Sequence, residues 1–273
     1  MTASTGVRPD GAPDDTAPEP ATQAADERAA ASGAGGWRAL VWQPVMLAAA
    51  VLAFVVWRLA ADLSETESRQ LGWSALSRSI VEHLQLTAVS AVIVLVIAIP
   101  LGVLLTRGAM RRFSPLIIGV ANTGQAAPAI GLLVLLAAWV GFGFRTAVIG
   151  LVVYAALPVL RNTIVGIQGV DARLVEAGRG MGMSALAVLL RVELPLAVPV
   201  LLAGVRTALV LLVGTATLAT FINGGGLGVL ITTGINLSLD ALLISGAVLV
   251  ALLALAIDWL GRVVEHVARP RGL

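Results

Sequence analysis

Hydrophobic and polar positions divide this chain into a polar head and a series of apolar runs. Residues 1–36 are rich in Ala, Pro, Asp, Gly and Thr and show no apolar periodicity. Such a segment cannot bury enough surface to offset the entropy of ordering, so a disordered tail is expected. It also lacks the basic start and apolar stretch of a signal peptide. Six apolar runs follow, at about 39–61, 84–106, 115–140, 146–167, 195–222 and 240–263. Each is near the ~20 residues a helix needs to cross the hydrocarbon core. The runs are continuous rather than alternating, which excludes a transmembrane barrel. Pro100, Pro128, Pro158 and Pro199 fall in or near them, a placement tolerated where neighbouring helices re-satisfy the freed backbone groups. The pattern predicts an all-α polytopic membrane protein with about six transmembrane helices.

The segment 176–195, EAGRGMGMSALAVLLRVELP, interrupts this pattern. Asp171, Arg173, Glu176, Arg179, Arg191 and Glu193 lie in it or just before it. A charged residue at a bilayer centre costs roughly 2.5–3.5 kcal/mol on insertion scales, so the segment does not span. Asp171 is placed to cap a short helix over 171–179, and Gly180 and Gly182 break it. A second helical stretch over 184–192 begins at a capping serine and is expected to stop before Pro195. Two short helices joined by a glycine turn make a compact knob, and Ala177 and Gly178 permit close approach of a partner backbone. An ordinary interfacial pair of amphipathic helices is the alternative.

Composition agrees. Hydrophobic residues make up 58% of the chain and charged residues 12%, about half the charged share of a soluble domain. A formal charge of +2 is too small to imply nucleic acid. All basic side chains are arginine; with so much Ala, Gly, Val and Leu, this points to a GC-rich bacterial genome. There is no cysteine, which excludes disulfides, thiolate metal sites and Cys nucleophiles. His83 and His266 show no metal-ligand spacing and read as interfacial polar residues. With the amino terminus inside, the cytoplasmic loops hold Arg107, Arg111 and Arg112, then Arg173, Arg179 and Arg191, then Arg262, Arg269 and Arg271. Outside loops are poorer in arginine, except that Arg69 and Arg78 stand among Asp62, Glu65, Glu67 and Glu82. The bias places both termini and the 176–195 loop in the cytoplasm.

Glu176, Ala177, Gly178, Gly182, Val192, Leu194 and Pro195 carry the spacing of the cytoplasmic coupling loop of ABC-importer permeases. The loop resembles that family, with Gly178 where alanine is usual and Val192 where isoleucine is usual. The stretch 83–105 resembles the first core helix of this permease domain. The stretches 154–184, 192–210 and 216–228 are similar to permeases of osmoprotectant importers, which carry glycine betaine, choline, carnitine and related quaternary amines, and 122–136 resembles their Asn-x-x-Gln-Thr-x-Pro stretch, with Ala126 where threonine is common. The resemblance covers roughly 82–263. It implies a type I ABC-importer permease domain there, preceded by an extra transmembrane helix and external loop over 37–81 and followed by a cytoplasmic tail over 264–273. It also implies a bacterial cell-membrane location and partners: a dimer of ABC ATPase subunits docking on the coupling loops, a second permease that is identical or homologous, and an extracytoplasmic solute-binding protein. ATP would be bound by the ATPase, because this chain lacks a phosphate-cradling GxxxxGK[ST]. No catalytic, cofactor or metal residue is expected.

Asn122, Gln125, Thr207, Thr215, Thr217 and Thr220 are candidates to line a translocation path, with helix–helix hydrogen bonding as their alternative. Arg206, an intramembrane charge, joins them by default, either lining the path or pairing elsewhere, although a fixed cation there would repel a cationic ligand. The segment 221–228, with Asn223, Gly224, Gly225 and Gly226, is a candidate external gate loop or a simple turn. Asp258 and Arg262 are spaced for an i,i+4 ion pair. With one tyrosine, and tryptophans mostly near predicted interfaces, no aromatic cage for a quaternary amine is evident, which puts recognition in the binding protein. A permease for another small solute and an ion-coupled secondary transporter remain the alternatives. The predicted spans lack the mid-membrane carboxylates usual in the latter, and no nucleophile–base pair suggests a membrane enzyme.

Overall fold

The computed structural model describes residues 36–268. The predicted tail over 1–36, apart from Gly36, lies outside the described residues, as do Arg269 and Arg271. Contacts along the chain set Met1–Trp42 apart from Gln43–Leu273. Of the first unit only the helical residues 36–42, the start of helix α1, are described; the packing below concerns the second.

Helix α1 covers Gly36–Ala60. A short helix α2 (Glu65–Gln70) follows, started by a reciprocal capping box between Ser64 and Glu67. Next come α3 (Trp73–Leu105), a 3-10 segment (Gly108–Phe113), α4 (Ser114–Ala126), α5 (Ala129–Val140) and α6 (Phe144–Gln168). The knob helices are α7 (Ala172–Gly180) and α8 (Ala185–Val188). A π turn (Leu189–Glu193) then leads into α9 (Leu194–Ala216), a 3-10 segment (Thr217–Ile222), α10 (Gly228–Leu237) and α11 (Asp240–Ala268). No strand occurs among the described residues. Among the described residues, five helical stretches are long and apolar enough to cross a membrane, or six if the bent pair α4–α5 counts as one.

That pair is a correction to the predicted third run. Residues 115–140 are not one straight helix; the chain turns by 96° between the two halves. Pro128 disfavours helical backbone at the residue before it, and Ala127 is extended at φ −64, ψ 144. Proline alone does not decide this, since Pro100, Pro158 and Pro199 sit inside continuous helices. At the elbow Tyr154 Oη donates to Ala127 O, and Gln125 Nε2 donates to Tyr154 O at 3.4 Å. The chain's single tyrosine thus straps the elbow to α6.

The packing of α3, α6 and α9 fixes the relative sense of these three helices. A Cβ on Gly102, late in α3, would lie 2.7 Å from Thr163 Cβ, late in α6. Those helices therefore run parallel. Early α9 meets late α6, where a Cβ on Gly166 would lie 3.2 Å from Ala197 O. Late α9 meets early α3, where His83 Nε2 is 3.0 Å from Val213 O. So α9 is antiparallel to both. Since α3 and α6 point the same way, the bent pair between them returns the chain from one end of the bundle to the other and acts as a broken span. Between these helices lies the main core, built from Leu86, Val94, Leu105, Leu151, Val159, Leu212 and their neighbours. A second cluster joins Phe54 of α1, Leu76 of α3, Leu230 of α10 and Leu242 of α11.

Pro195 gives a second correction. It does not stop the knob's second helix; residues 185–222 form one helical rod of 38 residues, about 57 Å long. Proline in a helix interior clashes with the carbonyl four residues back. The π turn just before it widens the backbone there and lets the rod continue.

Candidate functional site

The knob forms at one end of the bundle from local signals. Asp171 Oδ1 accepts from Arg173 N at 2.9 Å and starts α7. The helix ends in a Schellman arrangement: Met183 N donates to Gly178 O at 3.1 Å and Gly182 N to Arg179 O at 2.9 Å. Gly182 takes the left-handed position, φ +82, and a Cβ there would meet nothing within 4 Å. Backbone conformation, not space, demands glycine. Ser184 Oγ then accepts from Ala187 N at 3.2 Å and starts α8.

Of the predicted coupling residues, Glu176 and Ala177 are exposed, as is Gly182. Gly178 is buried, which corrects its expected role in partner approach. A Cβ at Gly178 would stand 3.4 Å from Val188 Cγ2 and 3.5 Å from Met183 Sδ. The small residue closes α7 onto the rest of the knob, and an alanine fits the same gap. Val192 and Leu194 are half-buried at the root, and Pro195 is exposed. The knob also exposes Leu174, Met181, Leu186 and Leu190. These exposed apolar residues, an apolar crest along the knob's helices and turns, escaped the sequence reading. At the root, Glu193 is buried with only 4% exposed and accepts both terminal nitrogens of Arg107, one at 3.0 Å.

At the other end of α9 the segment 221–228 is pinned from several sides. Asn223, Gly225 and Gly226 have positive φ. Gly143 N donates to Ile222 O at 2.7 Å, and Gly224 N to Ala219 O at 2.8 Å. Glu82 Oε2 accepts from Gly226 N at 3.1 Å. His83, fully buried, has Nδ1 3.4 Å from Leu227 N, while Nε2 faces Val213 O. With Nε2 as the donor and Nδ1 as the acceptor, one neutral ring satisfies two elements. His83 is therefore a structural latch and not an interfacial residue. The stripe His83, Thr87, Ser90, all buried on α3, was the signal that could have found it. The chain beyond, α10, has 10 residues, about 15 Å and too short to span.

The candidate path residues do not converge on one pocket. Asn122 and Gln125 lie at the elbow on α4. Thr207 Oγ1 donates to Ala203 O at 2.9 Å, Thr215 to Leu211 O and Thr217 to Gly214 O each at 2.7 Å. Thr220 pairs with Thr232 of α10 at 3.5 Å. Most of these hydroxyls are thus satisfied within their own helix. Ala203, Thr207 and Gly214 share one side of α9, continued by Thr217 at the start of the 3-10 segment, with Thr207 and Gly214 exposed. Arg206 points elsewhere, to α11, where it pairs with Asp258 at 3.7 Å and Glu265 at 3.2 Å. The expected Asp258–Arg262 pair forms at 2.7 Å.

A family profile described as "Binding-protein-dependent transport system inner membrane component" matches residues 98–269. A glycine betaine/carnitine/choline transport system permease protein of Bacillus subtilis is 42% identical over 192 residues, covering 70% of this chain and 88% of the relative. An osmoprotectant import permease protein of Salmonella typhimurium is 36% identical over 197 residues, covering 70% of this chain and 91% of the relative. Among solved structures, a chain of the MetNI methionine ABC transporter in an inward-facing conformation is similar with TM-score 0.64 and 25% identity. That match covers 76% of this chain and all of the other.

Proposed function

The chain belongs to the family of binding-protein-dependent transport system inner membrane components, and from that premise we propose that it forms the translocation path of an ABC importer for a quaternary-amine osmoprotectant. It is a multi-pass permease of the bacterial inner membrane, a transport component and not an enzyme. Such permeases act with a separate ATPase and a binding protein. The substrate class is carried by relatives that are 36–42% identical and are named for glycine betaine, carnitine or choline transport.

In this reading the domain 82–263 pairs with a second permease, identical or homologous. The knob faces the cytoplasm, as do both termini, and each knob seats on one subunit of an ATPase dimer. The observation that carries the mechanism is the continuity of the knob with α9. A rigid, capped, exposed knob is the foot of a rod of 38 residues whose far end reaches the candidate gate loop at 223–226. When ATP closes the ATPase dimer, the knobs move together and the rods tilt, switching the path between inward- and outward-facing states. Such a cycle is rigid-body alternation driven by differential contacts in two states. Glu176 meets a basic or polar groove of the ATPase, and the apolar crest is carried on the same knob. The exposed side of α9 with Thr207 and Gly214, continued by Thr217, supports a weakly polar path wall, to which Asn122 contributes from α4. Arg206, held by two carboxylates, serves packing of α11 on α9 and presents no free cation to a cationic solute.

Reconstitution of the permease with its ATPase and binding protein in proteoliposomes tests this. Uptake of radiolabelled glycine betaine or choline should require ATP. Uptake that follows a proton or sodium gradient without ATP would overturn the reading.

A further inference from the structure

The ion pair between Arg107 and Glu193 joins residues 86 apart at the root of the knob. Glu193 is the one buried carboxylate among the described residues. It closes the π turn, one residue before α9 begins. Arg107 follows the last turn of α3, and its backbone N donates to Leu104 O at 3.0 Å. Beside the pair, Ile99 and Val103 of α3 pack with Ala197, Leu201 and Leu194 of α9 and Ile167 of α6. The guanidinium engages both carboxylate oxygens, a two-bond fork that fixes orientation as well as distance.

The geometry makes the π turn the soft point of the rod. Its backbone departs from the regular helical ladder, so a push on the knob unopposed there would bend the turn and not tilt the helices. A buried carboxylate with one charged partner is strongly dependent on that partner. We propose that Arg107 is a positioning residue for ATP-driven transport: by clamping Glu193 it stiffens the π turn and makes α3 and α9 move as one body with the knob. The proposal rests on the coupling role given to the knob above and adds a second output, α3, whose far end carries Glu82 and His83 against the segment 221–228.

The test compares wild type, Arg107→Ala, Arg107→Lys and the exchanged pair Arg107→Glu with Glu193→Arg, each first shown to be monodisperse and to bind the ATPase. Substrate moved per ATP hydrolysed should fall about tenfold in Arg107→Ala, within the range for residues that carry coupling between sites. Amide exchange at 189–193 should rise in this variant while that of α7 stays unchanged. A merely structural role would not change the stoichiometry of a folded, docked complex. Lysine, which lacks the fork, should give an intermediate ratio, and the exchanged pair should recover part of it. An unchanged ratio in Arg107→Ala, beside normal wild-type uptake, would overturn the clamp alone. A wild-type complex with no ATP-driven uptake would overturn the transport reading and the clamp's role with it.

Discussion

At one end of α9 the chain exposes Leu174, Met181, Leu186 and Leu190 of the knob; at the other it buries Ile222, and Gly226 and Leu227 against His83. Both ends are rich in glycine, although only the knob carries charge. Their hydrogen bonds separate them further. The knob satisfies most of its backbone internally, through Asp171, Ser184 and the Schellman turn at Gly182, and touches the bundle with charge chiefly at its root. The opposite loop adds to its local bonds several from elsewhere: Gly143 at the start of α6, and Glu82 and His83 of α3. A loop stabilised from within can present a free surface and move as a unit. A loop stabilised from outside is part of the bundle and moves only when α3, α6 and α9 rearrange.

The comparison makes opposite demands on the two ends. The largest stability effect should come from His83→Leu. It leaves Val213 O and Leu227 N buried without partners, at about 1–3 kcal/mol each. We expect a clearly lower melting temperature in detergent; an unchanged one would mean that water or a shifted backbone replaces the ring. Gly182→Val should come next. A β-branched residue in the left-handed region costs roughly 1–2 kcal/mol or somewhat more, confined to the knob. Amide exchange should therefore rise at 178–183, with the segment 221–228 unaffected. A rise at both ends would show that the knob is not an independent unit. The smallest effect is expected from Gly178→Ala. The added methyl meets only ordinary contacts of 3.4 Å or more, so stability should shift within about 0.5 kcal/mol, and transport should be kept. Loss of transport there would return Gly178 to the partner surface.

How much of this was legible in the sequence follows the same division. The knob's caps were readable, because Asp171, Gly182 and Ser184 act on residues two to five positions away. The six apolar runs marked the spans, because burial in lipid imposes length and polarity on each helix separately. The latch at His83 was not readable as such, since its partner Leu227 is 144 positions away, and the same holds for Arg107 and Glu193. The bend at Pro128 was half-readable. A proline in an apolar run signals strain, yet four prolines looked alike, and the hydrogen bond that Tyr154 makes at the broken one comes from 27 positions away. Pro195 misled in the other direction, because a π turn hidden in LLRVE carries the helix through. Arg206 was read by depth alone, when its carboxylate partners on α11 decide where it points.

The most direct test of the knob as the point where force enters is Glu176→Lys in the reconstituted complex. We expect a melting temperature within error of wild type, because Glu176 is exposed and its replacement touches no core. We also expect ATP-driven glycine betaine or choline uptake to fall on the order of 30-fold, the loss of one docking hot spot of about 2 kcal/mol. Uptake at the wild-type rate in a variant that carries lysine at this position would contradict the assignment of the knob to the ATPase.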